Sequence, residues 1–147
     1  MATAATNPER GDPPNTLTCL LRAELSAVET YRGALARLDG PDAGPRLRQI
    51  CVDHSRAVQV LRGLLMRHGE VAPTSTAGQE YAAARADEAL TATVDALCDD
   101  EARQVEAYRR ALNDPSLPPA VKAMIRSDLL RRSETHVPAL EALIAAR

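Results

Sequence analysis

The chain has 147 residues, which is enough for one domain that buries a sizeable core without disulfides or metals. It contains 27 Ala and 18 Leu but no Phe and no Trp, a composition that favours closely packed helices and excludes an all-β fold. The formal net charge is −2, with 18 basic and 20 acidic residues spread along the chain, so we expect no nucleic-acid binding.

No stretch of the sequence approaches the roughly 18 apolar residues of a membrane span, so we expect no membrane association. Residues 1–14 lack a basic-then-apolar signal pattern and are rich in Thr, Pro, Gly and Asp, which predicts a disordered N-terminal tail. The three cysteines, Cys19, Cys51 and Cys98, are few and odd in number, which favours reduced, buried thiols and a cytoplasmic protein.

Hydrophobic periodicity predicts four long helices, separated by loops that are rich in Pro, Gly, Asp and Asn. We expect Pro138 to bend the fourth helix, because its nitrogen cannot bond the carbonyl of Glu134. The predicted helices span about residues 16–38, 46–68, 87–112 and 119–147.

The connection between the second and third helices is much longer than the other two. Residues 70–86 begin as a loop and could end in a short helix over residues 79–86. Extended, these residues would reach roughly 55 Å, which is enough to travel the length of a bundle. We therefore predict an all-α, ferritin-like four-helix bundle, in which two antiparallel hairpins are joined by one long crossover. A simple up-down-up-down bundle is the alternative topology that the sequence leaves open.

The first and third helices repeat one another. Residues 20–35 and 97–112 align without a gap and are identical at 8 of 16 positions. We interpret the pattern as a duplicated helical hairpin, in which the second and fourth helices match more weakly. The aligned identical pairs include Glu24 with Glu101 and Tyr31 with Tyr108, and in the weaker match His54 pairs with His136.

The Glu-x6-Tyr pattern on the first and third helices, with the long crossover, resembles the ferritin-like superfamily. Within it, the chain is similar to an uncharacterised bacterial branch of four-helix-bundle proteins, a domain of unknown function. Asp53-His54 and the stretch 68–73 add to this resemblance, which covers about residues 15–145. It implies one bundle domain over residues 15–147. It implies no activity, because that branch has no established one.

Di-iron proteins of this superfamily place one Glu on each of helices one and three, and Glu-x-x-His on each of helices two and four. Both bridging carboxylates are missing here, because Cys51 and Ser133 stand three residues before the two histidines. Glu134 lies one position off that register, about 100° around the helix. The resemblance implies metal ligands at Glu24, His54, Glu101 and His136, surrounded by Tyr31 and Tyr108.

The level of each residue along its helix gives a second expectation. Counted from hairpin turns near residues 42 and 116, Glu24 lies roughly 9 Å away from the level of His54. In a ferritin-like bundle the two turns lie at opposite ends, which brings each Glu level with the Tyr of the other hairpin. Polar groups that are buried without a partner cost about 1–3 kcal/mol each. We therefore predict crossed hydrogen bonds, Glu24 with Tyr108 and Glu101 with Tyr31.

Three uses of these residues stay open. A complete di-iron centre is disfavoured, because two of its four carboxylates are absent. A single Fe, Mn or Zn ion could be held by Glu101 and His54 with Glu24 or His136, since carboxylates and imidazoles suit such ions. The third use is a polar network that serves the fold alone.

Two functional hypotheses follow. The first is a ferritin-like protein that binds a transition metal in a degenerate di-iron site. The missing carboxylates argue against catalysis. If the protein is an enzyme, we expect iron-dependent oxidoreductase or ferroxidase-like activity. The second is a non-enzymatic helical module that forms a homodimer or binds another partner, in which the Glu–Tyr pairs are structural.

Overall fold

The computed structural model describes residues 15–38, 41, 43–67 and 90–145, and these residues form helices and turns without a strand. The predicted all-α class is therefore confirmed for this part of the chain. None of its helices is long and apolar enough to cross a membrane. The four helical rods are α1 (Thr16–Arg37), α2 (Ala43–Arg67), α3 (Leu90–Leu112) and a fourth rod made of α4 (Pro119–Met124), a π-helical turn (Ile125–Leu129) and α5 (Leu130–Ala145).

Several predictions fall on residues outside this description. They are the disordered tail over residues 1–14, the short helix over residues 79–86 and the long crossover that contains it. The first, second and fourth rods begin within three residues of their predicted positions, whereas the predicted start of the third lies outside the described residues. Of these three rods the second differs most, because it begins at Ala43 and already includes the Gly44-Pro45 pair that we expected in a loop. Pro is tolerated in the first turn of a helix, where its missing N–H has no intrahelical acceptor.

Side chains and prolines define where two of the rods begin. Asn15 precedes α1 in extended conformation, and its Oδ1 accepts a hydrogen bond from the Thr18 backbone N–H at 2.8 Å. This N-cap satisfies one of the free N–H groups of the first turn. The fourth rod begins at Pro119, whose fixed φ suits the first helical position.

The fourth rod contains a π-helical turn that hydrophobic periodicity did not reveal. The backbone N–H of Leu130 bonds the carbonyl of Ile125, five residues earlier. The wider turn lets both Leu129 and Leu130 enter the core. π-Turns of this kind occur often beside functional sites. Pro138 lies inside α5, which continues to Ala145, and the bend expected there stays a prediction.

The four rods pack as two hairpins that face each other. The closest packing is between α1 and α2 and between α3 and α5, while α1 also contacts α3 and α2 contacts α5. Contacts between α1 and α3 pair early residues of one helix with late residues of the other, so these two helices are antiparallel. The contacting pairs are Thr16 with Asp114 at the end of α3, Glu24 with Tyr108, and Tyr31 with Glu101.

Two apolar clusters form the core, one toward each end of the rods. One cluster includes Leu21, Leu61, Tyr108 and Ile125, and the other includes Leu47, Leu97 and Leu140. Between them, at mid-height, all four rods contribute buried polar residues. We call this set the buried polar layer: Glu24, Tyr31, His54, Glu101, Tyr108 and His136.

Gly63 should limit the stability of α2. It lies inside the helix, and a Cβ added there would meet no atom within 4 Å. Replacing Gly by Ala in a helix interior reduces the backbone entropy lost on folding. We expect Gly63→Ala to raise the free energy of unfolding by about 0.5–1 kcal/mol, measured by urea denaturation. Gln59→Ala, one turn earlier at an exposed position, is the control and should change it less; a destabilised Gly63→Ala protein would contradict the prediction.

Candidate metal centre

All four residues predicted as metal ligands meet in the buried polar layer. Each comes from a different rod, and each is 2–3% exposed. Helical periodicity explains this, because each side chain lies on the inward stripe of its rod, in line with buried residues about one turn away. The four are Glu24 on α1, His54 on α2, Glu101 on α3 and His136 on α5.

Glu101 contacts polar side chains from all three other rods. Its Oε1 accepts a hydrogen bond from the Tyr31 hydroxyl at 3.2 Å and contacts Nε2 of His54. Its Oε2 lies 3.1 Å from Nδ1 of His136. One carboxylate therefore joins both histidines and a tyrosine from three neighbouring rods.

Glu24 occupies the equivalent position in the other hairpin. Its Oε1 accepts hydrogen bonds from the Tyr108 hydroxyl at 3.0 Å and from the Gln104 amide at 2.7 Å. Its Oε2 lies 2.7 Å from Nδ1 of His54. Together with the bond from Tyr31 to Glu101, this confirms the predicted crossed Glu–Tyr hydrogen bonds.

The expectation that Glu24 lies about 9 Å away from the level of His54 is wrong. His54 lies between the two glutamates, with Nδ1 on Glu24 and Nε2 on Glu101. The error came from the assumed turn near residue 42. Glu24 lies 13 residues before the end of α1 at Arg37, and His54 lies 11 residues after the start of α2 at Ala43. This difference amounts to only about 3 Å along the axis, which the two side chains span.

The two hairpins make equivalent contacts at one nitrogen of each histidine and different contacts at the other. Nδ1 of His54 faces Glu24, and Nδ1 of His136 faces Glu101. Nε2 of His54 reaches Glu101, whereas Nε2 of His136 bonds Oδ2 of Asp53 at 2.9 Å. The near-twofold relation of the hairpins is therefore broken at His136.

Asp53 and Gln104 belong to the site but were not predicted as part of its chemistry. Asp53 precedes His54 in the sequence and therefore faces about 100° away from it, toward His136 of another rod. Gln104 lies one turn before Tyr108 and shares its acceptor, Glu24. Helical spacing would have identified Gln104, because it lies three residues after Glu101 on the same face.

The positions of the missing bridging carboxylates carry no acid that could replace them. Cys51 is half-buried, and its Sγ lies 3.9 Å from the carbonyl oxygen of Val28. The Ser133 hydroxyl is buried and has no hydrogen-bond partner in the described part of the chain. Glu134 points outward and binds Arg109 at 3.0 Å. A di-iron centre with two bridging glutamates does not fit these residues.

The electrostatics of the layer favour charged imidazoles and a charged carboxylate. Burial alone would lower the pKa of His54, but the charges and hydrogen bonds of Glu24 and Glu101 raise it well above 6.5. The pKa of His136 is also raised, because its bonds to Glu101 and Asp53 outweigh burial. Burial would raise the pKa of Glu101, but the two histidines lower it to about 2.

The two tyrosines act as neutral donors in this layer. Burial, followed by the charge of Glu101, raises the pKa of Tyr31 well above 10.0. Burial and the charge of Glu24 do the same for Tyr108. Both hydroxyls therefore stay protonated at neutral pH and donate hydrogen bonds to the carboxylates.

Three of the predicted ligands could hold a metal ion together. Donor atoms of His54, Glu101 and His136 lie within 4.8 Å of one another, and all three residues are buried. The nitrogens that face Glu101 are Nε2 of His54 and Nδ1 of His136. Glu24 lies outside this three-residue group and contacts it through Nδ1 of His54.

Glu101 should be the most important polar residue for stability. Glu101→Gln removes the negative charge between two histidines and leaves each buried imidazole with one carboxylate partner, Glu24 or Asp53. Breaking a buried charge pair in this way costs about 3–5 kcal/mol. We expect the free energy of unfolding to fall by about that amount, measured by urea denaturation with a chelator present. Glu106→Gln, at an exposed position on the same helix, is the control and should leave it nearly unchanged.

The metal-free protein should be most stable between pH 4.5 and 6.5. Because the folded-state pKa of Glu101 lies below 4.5, the stability that it contributes is lost as pH falls from 4.5 toward 2. Because the pKa values of His54 and His136 lie above 6.5, their contribution is lost as pH rises above 6.5. Thermal melting across pH 3–9 with a chelator measures this profile. His136→Gln should reduce the loss above pH 6.5, and a melting temperature that rises from pH 6 to 9 would contradict the prediction.

Comparisons with protein-family models, with curated proteins and with solved structures found no match for this chain. The resemblance to the ferritin-like superfamily therefore depends on the sequence pattern alone. What the buried polar layer does has to be inferred from its own donors, acceptors and charges.

Proposed function

We propose that this protein binds one divalent transition-metal ion at the centre of the bundle. His54, Glu101 and His136 would be its protein ligands, and the observation that carries the proposal is their mutual proximity within 4.8 Å in a buried setting. Two imidazoles and one carboxylate are a donor set that such ions prefer. A second metal ion is not proposed, because Cys51 and Ser133 stand where its bridging carboxylates would be.

The surroundings of the two histidines support this assignment. In metal sites, a ligand histidine usually donates its other ring N–H to a carboxylate, which fixes the orientation of the ring. His54 faces Glu101 with Nε2 and Glu24 with Nδ1, and His136 faces Glu101 with Nδ1 and Asp53 with Nε2. Each histidine thus has one nitrogen on the shared carboxylate and one on an outer carboxylate. Glu24 and Asp53 would orient the rings.

The Ser133 hydroxyl provides a second, independent indication. It lies one turn before His136 on the inward face of α5, and it is buried without a hydrogen-bond partner among the described residues. Native proteins rarely leave such a group unsatisfied, because this costs about 1–3 kcal/mol. A water molecule that belongs to the hydration of a bound metal ion would satisfy it.

The donor set suits Fe²⁺ and Zn²⁺ better than the third candidate, Mn²⁺. Two histidines and one carboxylate with open coordination positions are typical of mononuclear iron(II) sites, and catalytic Zn²⁺ sites use the same kind of ligands with an open fourth position. A bound Fe²⁺ would supply open positions for small molecules and one-electron chemistry. The protein itself would supply burial, two neutral tyrosine donors and a fixed arrangement of the ligands.

The ferritin-like arrangement of the helices is part of this proposal. The antiparallel pairing of α1 with α3 supports it, because an antiparallel α1–α2 hairpin then makes α2 parallel to α3. Parallel helices that follow each other in sequence need a connection that returns along the bundle. Residues 68–89 are long enough for such a connection. A simple up-down-up-down bundle would instead pair α2 with α3 antiparallel.

The competing function is a purely structural polar layer in a protein that dimerises or binds a partner. Its support is that every ring nitrogen of His54 and His136 already has a carboxylate partner. A metal ion must displace the protons from the nitrogens that face Glu101, so one molecule holds either the metal-bound or the proton-bridged layer.

Metal binding is tested by adding Fe²⁺, Mn²⁺ or Zn²⁺ anaerobically to chelator-treated protein and measuring bound metal by elemental analysis after desalting. We expect about one ion per chain, with Zn²⁺ and Fe²⁺ both retained better than Mn²⁺. His136→Gln should abolish retention. Two ions per chain would contradict the mononuclear site. If no metal is retained, the proposal is wrong and the buried polar layer is purely structural.

The metal affinity of further variants distinguishes residues that bind the ion from residues that only orient its ligands. Asp53→Asn should weaken metal binding by about 10–100-fold without abolishing it, because it removes the outer partner of His136 only. Glu134→Gln changes an exposed carboxylate on the rod that carries His136; it is the matched control and should bind metal like the unmodified protein. Equal loss in Asp53→Asn and Glu134→Gln would show that the effect is not local to the site.

A further inference from the structure

A cavity of about 280 Å³ lies between α1 and α3 and reaches the buried polar layer from one side. Tyr31, His54 and Glu101 line its inner end. It exists because α1 and α3 meet mainly through small side chains, such as Ala27 and Ala107, which leave space between the two backbones. The volume equals that of about nine water molecules in the liquid, so it suits a ligand of about ten non-hydrogen atoms.

The walls of the cavity are mostly apolar. Half-buried alanines at positions 23, 27 and 107 line its sides, and Leu97 lines its inner part beside the ring of Tyr31. The polar residues at the inner end already bond each other, so they add few free donors or acceptors. An occupant therefore gains most by placing an apolar body inside.

The outer rim carries an excess of positive charge. Arg103 and Arg110 lie two turns apart on the same face of α3, and both are exposed at the rim. Arg103 pairs with Asp100 beside it. Arg110 makes no ion pair with any residue in the described part of the chain, so its guanidinium is available to an incoming anion. A guanidinium binds a carboxylate through two parallel N–H bonds.

We propose that this cavity binds a small organic anion, a monocarboxylate with an apolar body of about ten non-hydrogen atoms. Its carboxylate lies at the rim on Arg110, and its apolar body lies between Ala27 and Ala107. Its far end meets Tyr31 and Leu97 and comes close to His54 and Glu101. Binding itself does not need the metal ion. Where the proposed metal site also holds, the far end of the ligand lies beside it.

The test uses octanoate as the probe and 1-octanol as its neutral counterpart of similar shape. The full chain is treated with a chelator, and dissociation constants are measured by isothermal titration calorimetry. We expect octanoate to bind about tenfold more tightly than octanol, and Arg110→Gln to remove that difference. Because the protein is metal-free in this experiment, failure of the metal proposal leaves the result unaffected.

Variants that fill the cavity decide whether binding occurs there. Ala27→Leu and, separately, Ala107→Leu should each reduce octanoate binding at least tenfold, while circular dichroism confirms that the variant tested is folded. Arg126→Gln, an exposed arginine on the fourth rod, is the charge control and should bind octanoate normally. The proposal is overturned if octanoate does not bind at about 10 mM, or if it binds equally well to a folded cavity-filled variant.

Discussion

The position of His54 between two buried glutamates is the interaction on which the rest of this structure depends. Nδ1 contacts Glu24 from its own hairpin, and Nε2 contacts Glu101 from the other hairpin. A charged side chain that is only 2% exposed, as His54 is, is tolerated only when opposite charges lie in contact with it. The register of α1, α2 and α3 is therefore set by the need to keep these three groups in contact. The apolar clusters above and below provide most of the burial but do not select this register so narrowly.

The two sides of the buried polar layer differ in a way that the repeated sequence does not suggest. On the side of α1 and α3, small side chains leave a cavity that reaches His54 and Glu101. On the opposite side, Asp53 holds His136, and Arg132 lies 3.7 Å from Asp53. A near-symmetric set of histidines and glutamates thus has one open side and one side covered by charged groups. Among the described residues, the buried polar layer is thus reached from the side of α1 and α3.

The same contacts would serve stability without metal and ligand geometry with the proposed ion. Each histidine has one nitrogen on Glu101 and one on an outer carboxylate, which balances charge in the metal-free protein and would fix the ring orientation for that ion. The Ser133 hydroxyl, which has no hydrogen-bond partner among the described residues, and the π-helical turn at Ile125–Leu129 lie on the rod that carries His136. Both are local departures from regular structure or full hydrogen bonding beside the buried polar layer.

Hydrophobic periodicity and the internal repeat were enough to predict the four long helices, the residues of the buried polar layer and its crossed Glu–Tyr hydrogen bonds. These follow from the 3.6-residue period and from the repeat of Glu24 and Tyr31 at Glu101 and Tyr108, which are local properties of the chain. The packing of the rods, by contrast, brings His54 to both glutamates, places Asp53 on His136, and leaves a cavity between α1 and α3. These depend on where helices end and how closely backbones approach. Periodicity does not encode shifts of a few ångströms along and between axes.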